Sequence, residues 1–368
     1  MLKAQESVLE IDLNALAHNF KTIKAQLAPD VKFMSVIKAY AYGNDSVAIA
    51  KKLEELGTDY FAVAYAEEGI RLRKAGISSP ILILHPQPLN FPEIIENCLE
   101  PNLYSARTLE LFIELAEKQK QKDYPVHIKF NTGMNRLGFT ENNYYHIPEK
   151  LQNTNAVKLV SGFSHLAASE NWKEREFTLS QIHKFSNLAT RVMKDIGYEP
   201  LLHICNTSAI FNYPKAGFSM VRSGLGLFGF ANDATLNEKL KPVGTLKSVI
   251  SQIQELEKGD TVGYGRAFKA EKTTRTATIP LGHADGIKRI YGHGKAGFFV
   301  NGKYAPIVGN VCMDIIMIDV TDIHCEEGDE VIVFGGPQHV TKFAADGGTI
   351  PYELITGISQ RVTRRIID

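Results

Sequence analysis

The sequence predicts an α/β protein with an N-terminal (β/α)8 TIM-like barrel and a C-terminal mostly-β domain. Two patterns carry this prediction. Between about residues 30 and 230, short apolar runs alternate with segments of helical periodicity, and beyond that point an alternation with a period of two replaces them. The length of 368 residues fits two domains. We expect these domains at 1–232 and 233–368, with residues 1–10 as candidates for pairing with the second.

Eight apolar runs are the predicted barrel strands, at 33–37, 61–64, 81–84, 102–104, 126–130, 159–163, 201–204 and 219–221. Helical periodicity lies between them, for example at 46–56 and 108–118. Such alternation is typical of a parallel sheet with right-handed crossovers. An open doubly wound sheet is the alternative. It would need a glycine-rich phosphate turn after the first strand, where this chain has Lys-Ala-Tyr-Ala-Tyr-Gly.

The second domain is predicted from period-two alternation at 243–256, 274–280, 313–320 and 330–334. Residues 295–306 are predicted to form a hairpin, because Asn301 and Gly302 are the residue pair that a tight hairpin turn favours. The tail at 352–366 has a helix-like pattern and is predicted to pack between the two parts.

The composition excludes several classes of function. Lys+Arg and Asp+Glu balance at 41 each, so charge gives no reason to expect nucleic acid or a membrane surface as a partner. The N-terminus lacks the apolar core of a signal peptide, and no apolar run approaches membrane-spanning length. The four cysteines have no metal-ligand spacing, which favours reduced thiols in the cytoplasm and predicts no metal site.

Lys38 directly follows the first predicted strand. Active sites of barrels lie at the C-terminal ends of the strands. A lysine at the rim of a buried strand suits a Schiff-base enzyme, because desolvation lowers the pKa of its amine towards neutrality. The alternative is a lysine that extends its amine from a strand end into solvent.

Other polar residues follow the later strands of the predicted barrel. Arg136 lies in the loop after the fifth, His165 after the sixth, Thr207 at a predicted helix N-cap after the seventh, and Gly224 and Gly226 after the eighth. Phosphate sites after strands seven and eight recur in barrels. A lysine nucleophile, a phosphate cup and arginines between them together indicate pyridoxal 5'-phosphate (PLP) as the cofactor.

Two segments at the beginning of the chain, EIDLNAL at 10–16 and VIKAYAYG at 36–43, closely resemble the opening of alanine racemases. Further resemblances follow in the family's order at 131–138, 164–165, 203–208, 220–226, 263–266, 311–314 and 349–353. The family fold is a PLP-binding (β/α)8 barrel with a β-domain. The resemblance therefore implies interconversion of L-alanine and D-alanine, the latter a peptidoglycan precursor.

The resemblance implies a role for each matching residue. Lys38 would hold PLP and act as one base, while Tyr264 would be the other base, supplied by the second subunit of a homodimer with shared active sites. Arg222 would face the pyridine nitrogen with His165 supporting it. Arg136 would contact the cofactor and the substrate. Racemisation removes a proton from one face of the α-carbon and returns one to the other, which favours two bases on opposite sides.

Further cofactor contacts would come from Tyr42, Asn206, Thr207, Gly224, Leu225 and Tyr352. Met313, also from the second subunit, would bind the substrate carboxylate through its backbone amide, with Cys312 and Asp314 beside it. Lys129 occupies a position that is carbamylated in some members. The chain departs from the family at His283, where tyrosine is usual, and more mildly at Asn131 and Glu170.

Three alternatives accompany the prediction of an alanine racemase. A serine or broad-specificity racemase would use the same bases, and only pocket residues such as His283 could distinguish it. A non-catalytic PLP carrier would not need Tyr264. A decarboxylase of basic amino acids would pair the pyridine nitrogen with a carboxylate, which Arg222 contradicts, since an arginine cannot give up its proton. For the same reason the ring is a weak electron sink, which disfavours transamination.

Overall fold

The computed structural model describes residues 6–231 and 234–368. Within these ranges the chain forms an eight-stranded parallel sheet, a nine-stranded sheet and a two-stranded ribbon. The predicted fold class, a TIM-like barrel with a mostly-β domain, is confirmed. The predicted domain boundary between residues 232 and 233 lies outside the described residues. None of the helices in the described ranges is long and apolar enough to cross a membrane.

The parallel sheet curves into a nearly closed barrel. Its spatial order is β8-β7-β6-β5-β4-β3-β2-β9. The two outer strands approach each other, because the amide of Ser219 donates to the Leu202 carbonyl at 3.1 Å and that of Arg222 to the Cys205 carbonyl at 3.1 Å. The eight strands are β2 (Lys32–Val36), β3 (Tyr60–Val63), β4 (Ile81–Ile83), β5 (Glu100–Leu103), β6 (Tyr124–Lys129), β7 (Val157–Phe163), β8 (Leu201–His203) and β9 (Met220–Ser223).

Helices precede or follow the barrel strands in alternation. The first helix precedes β2, and each of the other seven connects one barrel strand to the next parallel strand, as the periodicity predicts. They are Leu13–Lys24, Ser46–Glu55, Ala66–Lys74, Phe91–Glu96, Ala106–Lys118, His146–Leu151, Arg175–Ile196 and Thr207–Asn212. Three more follow the barrel, at Ala234–Asn237, Pro337–Asp346 and Pro351–Thr356.

The nine-stranded sheet joins the start of the described chain to its last residues. Its order is β11-β14-β17-β16-β15-β18-β10-β1-β19. Strand β1 lies antiparallel to β10 and parallel to β19. The strands are β1 (Val8–Asp12), β10 (Gly244–Val249), β11 (Gln252–Leu256), β14 (Thr274–Ile279), β15 (Gly297–Val300), β16 (Lys303–Val308), β17 (Ile316–Asp319), β18 (Glu330–Phe334) and β19 (Thr363–Ile367), and the ribbon pairs β12 (Thr261–Val262) with β13 (Phe268–Lys269).

The predicted hairpin around Asn301 and Gly302 is confirmed, since β15 and β16 pair across it. The prediction of a helical tail at 352–366 is wrong. The helix Pro351–Thr356 is short, and the chain then forms strand β19, which lies at the edge of the sheet beside β1. This pairing partner is more than 350 residues away in the sequence, so local periodicity carries no sign of it.

The interior of the barrel has an apolar part and a polar part. Met34, Ala62, Leu82, Phe163 and Met220, from five of the strands, form a buried cluster separate from the main core. Buried polar side chains occupy other inward positions, among them His127, Ser161, His203 and Arg222. The polar part leads towards the C-terminal ends of the strands.

Candidate active site

The chain leaves β2 in a left-handed turn, Lys38–Gly43. Ala39, Tyr40, Ala41 and Tyr42 have φ values between 53° and 56°, and Gly43 has a φ of 85°. Each such non-glycine residue costs about 1–2 kcal/mol relative to the right-handed form. A run of four therefore requires strong support from its surroundings.

Two side chains from distant parts of the sequence hold this turn. The carboxylate of Glu68 accepts from the amide of Ala39 at 2.6 Å, and its other oxygen accepts from the Ala64 amide at 2.7 Å. At the far end, the Arg364 guanidinium donates to the Gly43 carbonyl at 2.9 Å. Gly43 also packs against the C-terminal helix, since a Cβ there would lie 2.1 Å from the Ile355 carbonyl oxygen. The turn that carries Lys38 is thus fixed at both ends.

Lys38 lines a cavity of about 610 Å³ at the C-terminal ends of the barrel strands, a size typical of small-molecule sites. All ten barrel-side residues that the sequence predicted contribute to this cavity, together with Tyr352. They are Lys38, Tyr42, Lys129, Arg136, His165, Asn206, Thr207, Arg222, Gly224 and Leu225, with Tyr352 from the C-terminal part completing that set of eleven. Residues separated by more than 300 positions in the chain therefore meet in one place.

Positive charge dominates the polar wall of the cavity. Burial, and then the nearby Arg136, lower the pKa of Lys38, while Glu68 opposes them. The pKa of Lys129 is held well below its ordinary value by burial and by Arg222 and Arg136. Its amine lies 4.7 Å from the centre of the Phe163 ring. Lowered pKa values favour the neutral amines that nucleophilic and basic lysines need.

Arg222 is buried and held by neutral acceptors. Its guanidinium donates to the Ser164 carbonyl at 2.7 Å, to His203 Nδ1 at 2.7 Å and to His165 Nδ1 at 3.1 Å. Burial lowers its pKa to about 10, so the group remains protonated at neutral pH. Burial and the positive charge of Arg222 hold the pKa of His165 well below its ordinary value, which keeps that imidazole neutral.

Hydroxyl groups and backbone form a cradle in the wall of the same cavity. Tyr42 packs against Phe228, with ring centroids 4.9 Å apart, and its hydroxyl fills the space where a side chain at Gly224 would lie, 2.2 Å from that Cβ position. Thr207 Oγ1 is 3.0 Å from Ser223 Oγ. Burial raises the pKa of both Tyr42 and Tyr352, so both phenols are neutral donors. Donors that converge beside a glycine suit a phosphate group.

The helix after β8 begins differently from the sequence prediction. Its N-cap is Asn206, whose side-chain oxygen accepts from the Ala209 amide at 3.0 Å, and Thr207 is the first helical residue. Ser169 Oγ also donates to this oxygen at 2.8 Å. Asn206 therefore fixes the helix start that presents Thr207 to the cavity.

The remaining predicted residues, Tyr264, Cys312, Met313 and Asp314, lie on another surface of the chain and do not line this cavity. Tyr264 is 76% exposed and Met313 is 59% exposed. Their loops are joined, because Asn310 donates to the Tyr264 carbonyl at 3.0 Å. Within a single chain, the predicted site residues therefore fall into two separate groups, one around the cavity and one on the surface of the β-domain.

The loop that carries Met313 is anchored from both sides. The amide of Ala284 donates to the Met313 carbonyl at 3.0 Å, and that of His283 to the Cys312 carbonyl at 2.9 Å. The Arg361 guanidinium bridges the carboxylates of Asp285 and Asp314. The exposed side chains of Tyr264 and Met313 are therefore carried by loops that hydrogen bonds and an ion pair hold in place.

The geometry matches known proteins over nearly the whole chain. Residues 11–232 match the family model "Alanine racemase, N-terminal domain" and residues 243–366 match "Alanine racemase, C-terminal domain". The chain belongs to the alanine racemase family. As a member of this family it is an amino-acid racemase, and thus an isomerase.

Individual alanine racemases agree in sequence and in structure. "Alanine racemase 2" of Caldanaerobacter subterraneus subsp. tengcongensis is 37% identical, covering 97% of this chain and 93% of that protein. The alanine racemase structure from Clostridium difficile 630 has a TM-score of 0.93 at 34% identity, covering 99% and 96% of the two chains. The structure from Bartonella henselae, described with covalently bound pyridoxal phosphate, has a TM-score of 0.86 at 28% identity, covering 99% and 100%.

Sequence reasoning missed several residues that build this candidate site. Glu68 and Arg364 were not predicted, because both act on backbone groups that only the fold brings near. A signal for Glu68 existed, since a glutamate at the third position of a helix commonly accepts from the amides before it. The polar residues inside the barrel also left a signal, at alternate positions of otherwise apolar strands.

Proposed function

We propose that this protein interconverts L-alanine and D-alanine with PLP as cofactor, in the cytoplasm, and so supplies D-alanine for peptidoglycan. The observation that carries the proposal is the convergence of Lys38, Arg222 and the hydroxyl cradle on one cavity. The donors fit the cofactor: an amine of lowered pKa for its aldehyde, a charged guanidinium for its ring nitrogen and neutral hydroxyls for its phosphate. Family membership supports the same assignment.

Bound through Lys38, PLP would supply an electron sink that acidifies the α-proton of the amino acid. The lowered pKa of Lys38 leaves its amine ready to accept that proton from one face once the amine is released. Arg222, which keeps its proton, would leave the ring nitrogen of the bound cofactor unprotonated and so limit the sink. Arg136, at the cavity rim, is available to orient the oxygen atoms of cofactor and substrate.

The second base is proposed to be Tyr264 from the partner of a homodimer. Two observations support this arrangement: Tyr264 is largely exposed, and it does not line the cavity of its own chain. Within one chain the second face of the substrate would therefore lack a base, which a partner's Tyr264 would supply. Met313, Cys312 and Asp314 would complete the substrate wall from the same partner. The domain division near residue 232 belongs to the same proposal.

The test of the reaction is incubation of PLP-loaded protein with L-alanine, and separately with L-serine, in deuterated water. We expect α-deuterated D-alanine well ahead of D-serine by chiral chromatography with mass detection. Tyr264→Phe should retain the absorbance of bound cofactor and lose most turnover of L-alanine. Normal racemisation by Tyr264→Phe would contradict the two-base assignment.

The shared site has its own test. Mixed Lys38→Ala and Tyr264→Phe chains should regain activity, since a heterodimer can assemble one intact site. No recovery after verified subunit exchange would refute sharing.

A second candidate function is a serine or broad-specificity racemase. One observation favours it: the backbone amide of His283 donates to the carbonyl of Cys312, so the position that departs from the usual tyrosine lies beside the proposed substrate wall. Faster turnover of serine than of alanine would establish this alternative, and His283→Tyr would then be expected to restore the preference for alanine.

Lys129 is proposed to be carbamylated. Its lowered pKa favours the neutral amine that reacts with carbon dioxide, and within the described residues it forms no ion pair with a carboxylate. A carbamate would provide a negative charge beside Arg136. Incubation with ¹³C-bicarbonate should give a carbamate NMR signal that Lys129→Ala lacks, and its absence from the unmodified chain would contradict the proposal.

A further inference from the structure

Four buried side chains cross the polar part of the barrel and end at Arg222. We call Glu100, His127, Ser161 and His203 the barrel relay; they come from β5, β6, β7 and β8. Each is at most 8% exposed. Arg222 Nη1 lies 2.7 Å from His203 Nδ1, His203 Nε2 lies 2.9 Å from Ser161 Oγ, Ser161 Oγ lies 2.5 Å from His127 Nδ1, and His127 Nε2 lies 2.7 Å from Glu100 Oε2.

The end at Arg222 fixes the direction of every proton in the relay. A guanidinium only donates, so His203 Nδ1 must accept, and the neutral ring carries its proton on Nε2. That Nε2–H then donates to the hydroxyl of Ser161. The hydroxyl hydrogen in turn donates to His127 Nδ1, which places the proton of His127 on Nε2, directed at the carboxylate of Glu100.

The opposite direction leads to a conflict between donors. If His127 were an imidazolium paired with Glu100, its Nδ1–H would donate to Ser161 Oγ. Among the described residues the serine hydroxyl has no other acceptor than His203 Nε2, so it would donate there, and the proton of neutral His203 would lie on Nδ1, facing an Arg222 donor at 2.7 Å. A protonated His203 meets the same conflict, and the pKa of His203 is held well below its ordinary value by burial and by Arg222.

The relay connects the buried guanidinium of Arg222 to the carboxylate of Glu100, which Arg222 does not contact directly. In the described ranges Arg222 contacts no carboxylate directly; apart from the two histidines, its acceptors are backbone carbonyls. Aligned hydrogen bonds polarise one another in a low-dielectric interior, so the charge of Glu100 strengthens His203 as an acceptor. The Tyr60 ring also packs edge-on against His127, with the ring centroids 6.0 Å apart.

We propose that the barrel relay is a positioning device for Arg222, in which Glu100 is the final acceptor of the aligned hydrogen bonds and so holds the guanidinium against the cofactor nitrogen. The importance of that position rests on the proposed function, whereas the direction of the relay does not. A purely structural polar network would stabilise the barrel without affecting how the cofactor is held or what it does.

The direction is tested on the full chain without cofactor. ¹⁵N NMR of protein labelled at histidine distinguishes Nδ1–H, Nε2–H and imidazolium forms, and His127→Gln and His203→Gln identify the two signals by their loss. We expect Nε2–H for both rings at neutral pH. An Nδ1–H form or an imidazolium at either ring would overturn the proposal, whatever reaction the enzyme catalyses.

The positioning role is tested on the PLP-loaded enzyme with Glu100→Gln and Ser161→Ala. Both variants should bind PLP about tenfold more weakly, because a charge-assisted chain is replaced by a neutral or broken one and tenfold corresponds to about 1.4 kcal/mol. Transamination moves the amino group to the cofactor and oxidises alanine to pyruvate, so pyruvate released per D-alanine formed should rise once the ring nitrogen can be protonated.

Glu54→Gln is the matched control. Its carboxylate accepts from the amides and hydroxyls of Ser78 and Ser79, outside the barrel interior. It should lower stability without changing PLP affinity or pyruvate release. If Glu100→Gln and Ser161→Ala match this control, the relay is structural only and the positioning role is refuted. If the unmodified enzyme binds PLP but does not racemise alanine, the proposed function fails, while the NMR result still decides the direction.

Discussion

Gly43→Ala tests how the turn that carries Lys38 is supported. At a φ of 85° the new side chain introduces a cost of about 1–2 kcal/mol for the left-handed conformation. Its Cβ would also lie 2.1 Å from the carbonyl oxygen of Ile355, and backbone shifts that relieve such overlaps cost about 1–3 kcal/mol. The expected loss in free energy of unfolding is therefore about 2–5 kcal/mol.

Gly197→Ala is a control with nearly the same backbone penalty. Gly197 has a φ of 80°, and a Cβ there meets no atom within 4 Å, so only the conformational cost of about 1–2 kcal/mol remains. The difference between the two variants isolates the contact between the turn and the C-terminal helix. Denaturant unfolding followed by circular dichroism measures the stability of each.

The same contact connects stability to cofactor binding. Gly43 adjoins Tyr42, and Ile355 lies three residues after Tyr352, so a shift of either segment displaces a wall of the cavity. Since 1.4 kcal/mol is tenfold in affinity, we expect PLP to bind about 10- to 100-fold more weakly to Gly43→Ala and normally to Gly197→Ala. Equal stability and equal PLP affinity of the two variants would refute the reasoning.

Two further predictions concern charged groups at the site. In buffer freed of carbon dioxide, where the proposed carbamate is absent, Lys129 has a free amine whose pKa is lowered in the folded chain. The unfolded chain then binds more protons between that pKa and the ordinary value, so this residue makes stability rise with pH in that window. The free energy of unfolding of Lys129→Met should therefore rise less between pH 7 and pH 9 than that of the unmodified chain. Equal increases, measured by urea unfolding, would contradict the lowered pKa of Lys129. Glu68→Gln should lower stability by about 1–3 kcal/mol, since only one acceptor oxygen remains for the three backbone amides of Ala39, Ala64 and Tyr65 that donate to Glu68. It should also lower the pKa of Lys38 further, because Glu68 raises it, and an unchanged pH profile for PLP capture would argue against that influence.

The barrel could be predicted well because its strands are short, apolar and separated by helices. Strand β2 was expected at 33–37 and lies at Lys32–Val36, and β18 was predicted with its exact bounds. Strand β19 could not be found in this way, since most of its side chains are exposed or half-buried and its partner is β1. The helix Pro337–Asp346 was also missed.

The site followed a similar division. Lys38, Arg136 and Arg222 could be predicted because strand ends meet at one rim of a barrel. The acceptors around them could not, since which polar groups face Arg222 depends on the registers of β7, β8 and β9. His203 shows this clearly: its sequence position indicates a rim residue, whereas its ring is buried and bonded on both nitrogens.

The position of β1 has a mechanical consequence. The chain crosses between the nine-stranded sheet and the barrel twice, first at Asp12, which caps the helix Leu13–Lys24, and again after the last barrel strand. At the first crossing the amide of Asp12 also donates to the Val243 carbonyl at 2.9 Å, close to the second.

A hinge between two bodies usually needs a few residues that absorb the change in backbone angles, as a single linker provides. Here two segments of the chain cross side by side and are hydrogen-bonded to each other. A hinge motion would therefore have to separate β1 from its neighbouring strands. We therefore expect amino acids to reach Lys38 through small movements of loops at the rim, and not through separation of the barrel from the sheet.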